Sequence, residues 1–172
     1  MAAGCNKWGR LKNPGQGTDP FEVKARRNVR MYDLDRFKKA QERDYSIALD
    51  EIRSGHKQSH WIWYIFPQID GLGFSSTAEY YAIKSRKEAE DYLKDDLLRE
   101  HLCEISEALL QIESCDAGEV MGFPDDLKLR SSMTLFHEVA PEIEVFQKVL
   151  DKFFNGEADQ RTIGLLKEND GD

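Results

Sequence analysis

Residues Ser59-His60-Trp61-Ile62-Trp63-Tyr64-Ile65-Phe66-Pro67-Gln68 form the most apolar and most aromatic stretch of this 172-residue chain. Polar side chains flank the apolar run, with Ser59 and His60 before it and Gln68 after it. A glycine-rich turn, residues 70–76, follows at once. We predict that this central segment is buried and that its polar ends open onto a pocket.

The periodicity of the central segment does not decide its secondary structure. A period of two would place Trp61, Trp63 and Ile65 on one side, whereas a helical period would bury almost every side. Pro67 ends either kind of element, because the residue before a proline is pushed out of the helical region. Since the surrounding chain has helical patterns, we predict a short buried helix.

The flanking chain repeats apolar residues at spacings of three and four, which is typical of amphipathic helices. The clearest stripes run over residues 34–52, 97–112 and 143–154. Polar residues suited to the N-cap position precede several of the predicted helices: Asp33, the segment Ser75-Ser76-Thr77, Ser85, Asp95 or Asp96, and Asp159. Pro141 is expected in the first turn of the helix that follows it. The sequence predicts an all-α fold, a compact bundle of about six to eight helices around a buried aromatic segment.

The charge of the chain is unevenly distributed. Residues 1–30 hold seven Lys or Arg and two acidic residues, a net charge of +5, so the remainder carries −13 of the total −8. The acidic charge of residues 31–172 argues against broad nucleic-acid or membrane-surface binding. Any nucleic-acid contact is expected only through the basic N-terminal residues. We predict a flexible basic extension over 1–31, a single helical domain over 32–168 and a tail over 169–172.

Cysteine usage and hydropathy indicate a cellular location. The chain has three cysteines without a CxxC pair, no secretory signal and no apolar run near the roughly 20 residues that span a bilayer. We therefore expect a soluble, cytoplasmic protein. The four histidines show no metal-ligand spacing, and no familiar catalytic or nucleotide-binding motif is present, so we expect no metal and no cofactor.

Two polar clusters suggest a binding site. The first leads into the central segment and supplies Lys57, Ser59, Trp61, Trp63 and Gln68. Tryptophan faces stack on flat rings, and a glutamine amide can read one edge of a base. His60, in the same cluster, is either a hydrogen-bonded core residue or a general acid or base.

The second cluster lies in the segment Lys128-Leu129-Arg130-Ser131-Ser132-Met133-Thr134. On a helix, Lys128, Ser131 and Ser132 share one face, and a cation beside two hydroxyls can hold an anion. The alternative is a solvated lysine with hydroxyls bonded to helix carbonyls.

Two further features have both a functional and a structural interpretation. Gln41, on the apolar stripe of the first helix, either satisfies a backbone group in the core or lines a pocket. Residues 73–77, just before a helix, either bind a phosphate or only cap that helix.

Two long motifs resemble the signatures of a known family. The first reads Gly55-x-Lys57-x-Ser59-His60-Trp61-x-Trp63-x-Ile65-Phe66-Pro67-Gln68-x-x-Gly71-Leu72-Gly73-x-Ser75. The second reads Gly122-x-Pro124-Asp125-Asp126-x-Lys128-Leu129-x-Ser131-Ser132-Met133-Thr134-Leu135-Phe136. Together they resemble the domain-of-unknown-function family eighteen-ten, whose members are sometimes labelled calpastatin. The resemblance covers about residues 33–167 and implies a mainly α-helical fold, without an established reaction.

A fainter resemblance concerns residues 76–84. Ser76-Thr77-Ala78-Glu79-Tyr80-Tyr81-Ala82-Ile83-Lys84 is similar to a stretch of small helical N-glycosidases that act on ADP-ribose-type linkages. That resemblance implies Glu79 as an acid/base; the alternative is an ordinary core helix.

The sequence leaves three functional hypotheses. The main one is a helical module that binds a small phosphorylated or nucleotide-like ligand in a pocket between the central segment and residues 128–134. The second is an enzyme acting on an ADP-ribose-type or nucleotide N-glycosidic linkage, with His60 or Glu79 as acid/base. The third is that both motifs only maintain the core.

Overall fold

The computed structural model describes residues 32–170 and contains nine helices in that part of the chain, three of them of six residues or fewer. In chain order they are α1 (Asp35–Arg53), α2 (Ile62–Ile65), α3 (Ser76–Tyr81), α4 (Arg86–Lys94), α5 (Asp96–Gln111), α6 (Ala117–Met121), α7 (Asp125–Val139), α8 (Glu144–Phe154) and α9 (Gln160–Asn169). The predicted all-α fold is confirmed. Within the described residues, β pairing is limited to an isolated parallel bridge between Ile69 and Ile83. The predicted basic extension, residues 1–31, lies outside the described residues.

The central segment forms α2 and lies in the core, as its composition predicts. Ile62, Tyr64 and Ile65 are buried, and Trp61 and Phe66 at its two ends are exposed by only 1% and 0%. α2 packs against α1, α3 and α7, while α5 packs against α1 and α8. The short helix therefore lies where several longer helices meet.

Aromatic side chains continue the core away from the central segment. The ring centres of Phe37 and Tyr92 lie 5.2 Å apart, those of Tyr92 and Phe136 also 5.2 Å, and those of Phe136 and Phe146 5.9 Å. These residues come from α1, α4, α7 and α8. Because aromatic pairs at such distances add to the free energy of burial, they join four helices into one core.

Most helix starts follow the predicted N-caps. Ser75, Ser85, Asp95 and Asp159 each accept a hydrogen bond from a backbone N–H of the first turn. Two predictions were wrong. The N-cap of α1 is Leu34 rather than Asp33, whose backbone carbonyl instead accepts from Arg36, and α8 begins at Glu144 rather than near Pro141.

A buried ion pair holds the chain between α3 and α4. Arg36 and Glu88 lie 2.7 Å apart, with side chains 6% and 1% exposed. Arg36 also donates to the carbonyls of Tyr80 and Ala82, and Glu88 accepts from the backbone N–H of Lys84. Since every polar group of the pair has partners, the ion pair fixes the course of residues 80–84 next to the site described below.

Candidate functional site

A groove of about 510 Å³ lies between the central segment, the loop before α3, the first half of α7 and the start of α9. Its aromatic and polar lining includes Trp63, Gln68, Phe74, Lys128, Arg130, Ser131, Asp159 and Arg161. The groove thus joins the two sequence clusters that were predicted to share a pocket. A hollow of about 770 Å³ lies near the ends of α1 and α5, and another of about 660 Å³ lies beside α6 and shares Leu127 and Arg130 with the groove.

The central segment brings Trp63 and Gln68 to the groove because its other side chains enter the core. Trp63 is half-buried, between the buried residues Ile62 and Tyr64. The backbone after Pro67 is fixed to residue 83: Ile83 N–H donates to Gln68 O at 2.8 Å, and Asp70 N–H donates to Ile83 O at 2.8 Å. These bonds hold Gln68 at the edge of the groove.

The opposite wall comes from α7. The ammonium of Lys128 lies 4.9 Å from the ring centre of Trp63 and donates to Asp125 Oδ1 at 2.8 Å. Ser131 Oγ lies 3.0 Å from Leu127 O and 2.9 Å from Asp159 Oδ2. The hydroxyl of Ser131 is therefore already bonded within the protein.

Asp125 joins the two predicted clusters by lying between two lysines. Its other oxygen lies 2.7 Å from Lys57 Nζ, and the Lys57 side chain is only 5% exposed. Burial opposes the ionisation of Asp125, but the hydrogen bonds from Lys128 and Lys57 outweigh burial and lower the pKa of Asp125. Lys57 in turn lies 5.0 Å from the ring centre of Trp61. Each lysine thus contacts one tryptophan and the shared carboxylate.

Several residues predicted to bind a ligand lie away from the groove. Ser59 donates to Glu51 Oε1 and Trp61 donates from Nε1 to Glu51 Oε2 at 2.8 Å, while Lys57 is bonded to Asp125 and to Ser59 O. Their assignment as groove residues is corrected: these three side chains tie the start of the central segment to α1 and α7. They act on the groove only through the residues that they hold in place.

Gln41 and Ser132 are also core residues. Gln41 is 2% exposed; its Nε2 donates to Tyr64 O at 2.8 Å and to Tyr92 Oη at 3.1 Å, and its Oε1 lies 2.8 Å from His101 Nδ1. Of the two interpretations of Gln41, the structure agrees with the core one. Ser132 is 0% exposed, so α7 presents Lys128 and Ser131 to the groove while Ser132 faces the interior.

The two candidate acid/base residues do not line the groove. His60 and Glu79 are both exposed, and the groove wall near Glu79 is formed by Ala78 instead. Ser75 Oγ accepts from Ala78 N–H at 3.1 Å, which is ordinary capping of the six-residue α3. The enzymatic hypothesis gains no support from this arrangement and stays a prediction.

The sequence did not single out three charged residues of the groove. Arg130 and Arg161 contribute positive charge, and Asp159 contributes a carboxylate that also caps α9. With Lys128, the lining holds three cations and one anion, and two adjacent carboxylates, Asp125 beside Lys128 and Glu157 beside Arg130, offset part of that positive charge. The second motif leaves the position of Arg130 unspecified, and Arg161 lies outside both motifs, so neither had a local signal.

The described residues give no sign of a metal site or a membrane span. In residues 32–170 no cluster of three or more His, Cys, Asp or Glu side chains is arranged to hold a metal ion. The same residues include no helix that is both long and apolar enough to cross a bilayer.

The helical fold and its two joined motifs define a protein family. The chain belongs to the family described as "Protein of unknown function (DUF1810)", whose model matches residues 31–166. Among solved structures, it is similar to the conserved hypothetical protein Rv1873 from Mycobacterium tuberculosis, at 43% identity and a TM-score of 0.77, over 79% of this chain and 97% of that chain. No curated protein matches the chain.

Proposed function

We propose that the groove binds a small ligand that combines a flat ring with an anionic group, as phosphorylated or nucleotide-like molecules do. One observation carries this proposal: Trp63 and Gln68 line the same groove as Lys128 and Arg130, although the two pairs belong to different motifs. A ring-binding and an anion-binding surface thus meet in one place.

The size and the aromatic residues of the groove support the proposal. About 510 Å³ falls within the range of roughly 300–1,000 Å³ that is typical of small-molecule sites. Phe74 is 77% exposed on the groove wall and provides a second aromatic surface beside Trp63. The face of an aromatic ring can stack on a flat ligand ring.

The charge of the groove also supports the proposal. Residues 31–172 carry a net charge of −13, yet three of the four charged side chains that line the groove are cations, and within the described residues Arg161 has no carboxylate partner. A positive groove on an acidic body attracts anions locally while the rest of the surface repels them. This distribution favours a small anion over a long polyanion such as a nucleic acid.

A thermal-shift screen against nucleotides, ADP-ribose and sugar phosphates tests the proposal. We expect a ligand at 100 times its Kd to raise the Tm by roughly 5–10 °C, since such binding adds about 2.7 kcal/mol to the free energy of unfolding. Trp63→Ala should abolish the shift while the protein still unfolds cooperatively. Tyr80→Ala is the matched control, because Tyr80 is an exposed aromatic residue outside the groove lining.

Two results would contradict the proposal. One is the absence of any shift across the three compound classes with the wild-type protein. The other is a shift that Trp63→Ala leaves intact, which would place the binding site outside the groove.

A further inference from the structure

The predicted anion-binding residues of α7 are already bonded within the protein. Lys128 donates to Asp125, Ser131 lies within hydrogen-bond distance of Asp159, and Ser132 is 0% exposed. An anion at these residues would compete with Asp125 for the charge of Lys128 and with Asp159 for the hydroxyl of Ser131, and it could not reach Ser132. Donors on a cation that has no carboxylate partner are therefore better placed to bind an anion.

Arg161 has such donors to spare. Arg161 lies in the first turn of α9 and is exposed. Its Nη2 donates to Gly71 O at 3.2 Å, and within the described residues this carbonyl is the sole acceptor for the guanidinium. A guanidinium carries five N–H groups, so most of them remain available. The Gly71 carbonyl orients the guanidinium without neutralising its charge.

Arg130 is held in a similar way. Its Nε donates to Glu157 O at 2.9 Å and its Nη2 to Ala158 O at 3.2 Å. Nη2 also lies 3.3 Å from Glu157 Oε2, but the Glu157 side chain is 74% exposed, so that ion pair is weakened by solvent. Within the described residues Nη1 has no partner, and it remains able to bind an anion.

We infer that Arg130 and Arg161 form the anion-binding end of the groove and that its ligand is a phosphomonoester attached to a flat ring. The inference deepens the proposed function and rests on it. Planar guanidinium groups match phosphate oxygens with two parallel hydrogen bonds, which a lysine cannot do. The ring end is supplied by Trp63 and Gln68 of the same groove.

Calorimetric titration at fixed ionic strength tests the inference with four probes: adenosine 5′-monophosphate, adenosine, ribose 5-phosphate and inorganic phosphate. We expect the wild-type protein to bind the nucleotide at least about tenfold more tightly than each of the other three, since adenosine lacks the charge-assisted hydrogen bonds and the two phosphates lack the stacked ring. Arg130→Gln and Arg161→Gln should each weaken nucleotide binding by at least about tenfold.

Two further variants separate the geometry of the guanidinium from its charge. Arg161→Lys keeps the charge and loses the planar fork, so it should also weaken nucleotide binding. Lys167→Gln removes a positive charge from the same helix at an exposed position outside the groove, and it should leave the affinity unchanged.

Adenosine binding distinguishes an anion contact from a loss of structure. Arg161→Gln also removes the bond to Gly71 O, so a merely structural role would weaken adenosine and the nucleotide alike, and that result would overturn the inference. Equal wild-type affinity for the nucleotide and adenosine would overturn the inference and, with it, the anionic group of the proposed ligand. Nucleotide binding that Trp63→Ala abolishes but that Arg130→Gln and Arg161→Gln leave unchanged would overturn the inference and leave the proposed function standing. Equal affinity for ribose 5-phosphate or inorganic phosphate would overturn the assignment of a ring. Failure of all four probes to bind would overturn both.

Discussion

The carboxylate of Glu51 holds the start of the central segment in place. It accepts from Gln58 N–H at 2.8 Å, from Ser59 N–H at 3.0 Å, from Ser59 Oγ and from Trp61 Nε1 at 2.8 Å. Burial opposes its ionisation, but these hydrogen bonds together lower the pKa of Glu51 from its ordinary 4.5 to about 2. One carboxylate at the end of α1 thus satisfies four donors of the adjoining loop.

We expect this carboxylate to stabilise the fold at neutral pH and to make its stability fall at low pH. A carboxylate with a lowered pKa in the folded state contributes stability that is complete above pH 4.5 and is lost as the pH falls through about 2. Glu51→Gln should lower the free energy of unfolding by about 1–3 kcal/mol at pH 7. The amide nitrogen of glutamine is itself a donor, so the donors that faced that carboxylate oxygen lose their acceptor. Urea unfolding measured from pH 7 to pH 2.5 should show a smaller loss of stability for the variant than for the wild type. Parallel pH curves for the two proteins would contradict the role of Glu51.

The residues of the groove were only partly predictable. The sequence predicted four of the ligand-binding residues because tryptophan, amide, cation and hydroxyl side chains stood together in two short segments. These four are Trp63, Gln68, Lys128 and Ser131. Trp61 and Ser59 stood in the same segments but face Glu51, and nothing local in the sequence indicates which of two neighbouring polar or aromatic residues faces the core. Long-range partners decide that question.

The loop before α3 reaches the groove because two glycines allow close packing. Gly71 has φ +97°, and a Cβ there would lie 3.1 Å from the side chain of Leu165 on α9. At Gly73 a Cβ would lie 2.6 Å from the Cβ of Ala78, closer than two such atoms can approach. The loop therefore packs against both α9 and α3 only if these positions lack a side chain.

We expect Gly73→Ala to displace the loop from α3 and to weaken ligand binding in the groove. Overpacking of this kind typically costs about 1–3 kcal/mol of unfolding free energy. Gly164→Ala is a matched control on α9, where an added Cβ meets nothing within 4 Å. That control should stabilise the protein by about 0.5–1 kcal/mol, since alanine is the better helix former. Urea denaturation measures both effects, and unchanged stability of the Gly73 variant would contradict the close contact.

Helix boundaries followed the sequence where the signal was local. The side chains of the N-caps Ser85, Asp95 and Asp159 each accept from a backbone N–H two or three residues later in the chain. A few consecutive residues are therefore enough to predict the cap. Pro141 failed as a start signal because the chain turns once more, with Ile143 N–H donating to Ala140 O at 3.0 Å, before α8 begins. A proline fits a turn as well as it fits a first helical turn.

At the scale of the whole molecule, neither the family match nor the core cluster of buried residues includes the basic N-terminal segment. The family model begins at residue 31, and the similar structure is covered over 97% of its own length by 79% of this chain. The core cluster of buried residues begins at Phe37. A protein of this fold therefore exists without most of an N-terminal segment of that length.

We expect a chain that begins at Tyr32 to fold and to keep the groove. Its urea midpoint should match that of the full chain, and any ligand found in the thermal-shift screen should bind with an affinity within about twofold. The truncated protein loses a net charge of +5, so weak RNA binding by the full chain, if a titration detects it, should disappear. A truncated chain that fails to unfold cooperatively would show that the segment belongs to the fold.

The position of Asp125 between Lys57 and Lys128 has a consequence for work at different salt concentrations. Lys57 is shielded from solvent, whereas the Lys128 side chain is 24% exposed, so dissolved ions weaken the outer ion pair before the inner one. Added salt would loosen Lys128 from Asp125 and free its ammonium, while it screens the attraction of Arg130 and Arg161 for an incoming anion. The two effects oppose each other. The affinity for an anion should therefore fall less steeply with ionic strength than it would if Lys128, Arg130 and Arg161 all lacked an internal partner.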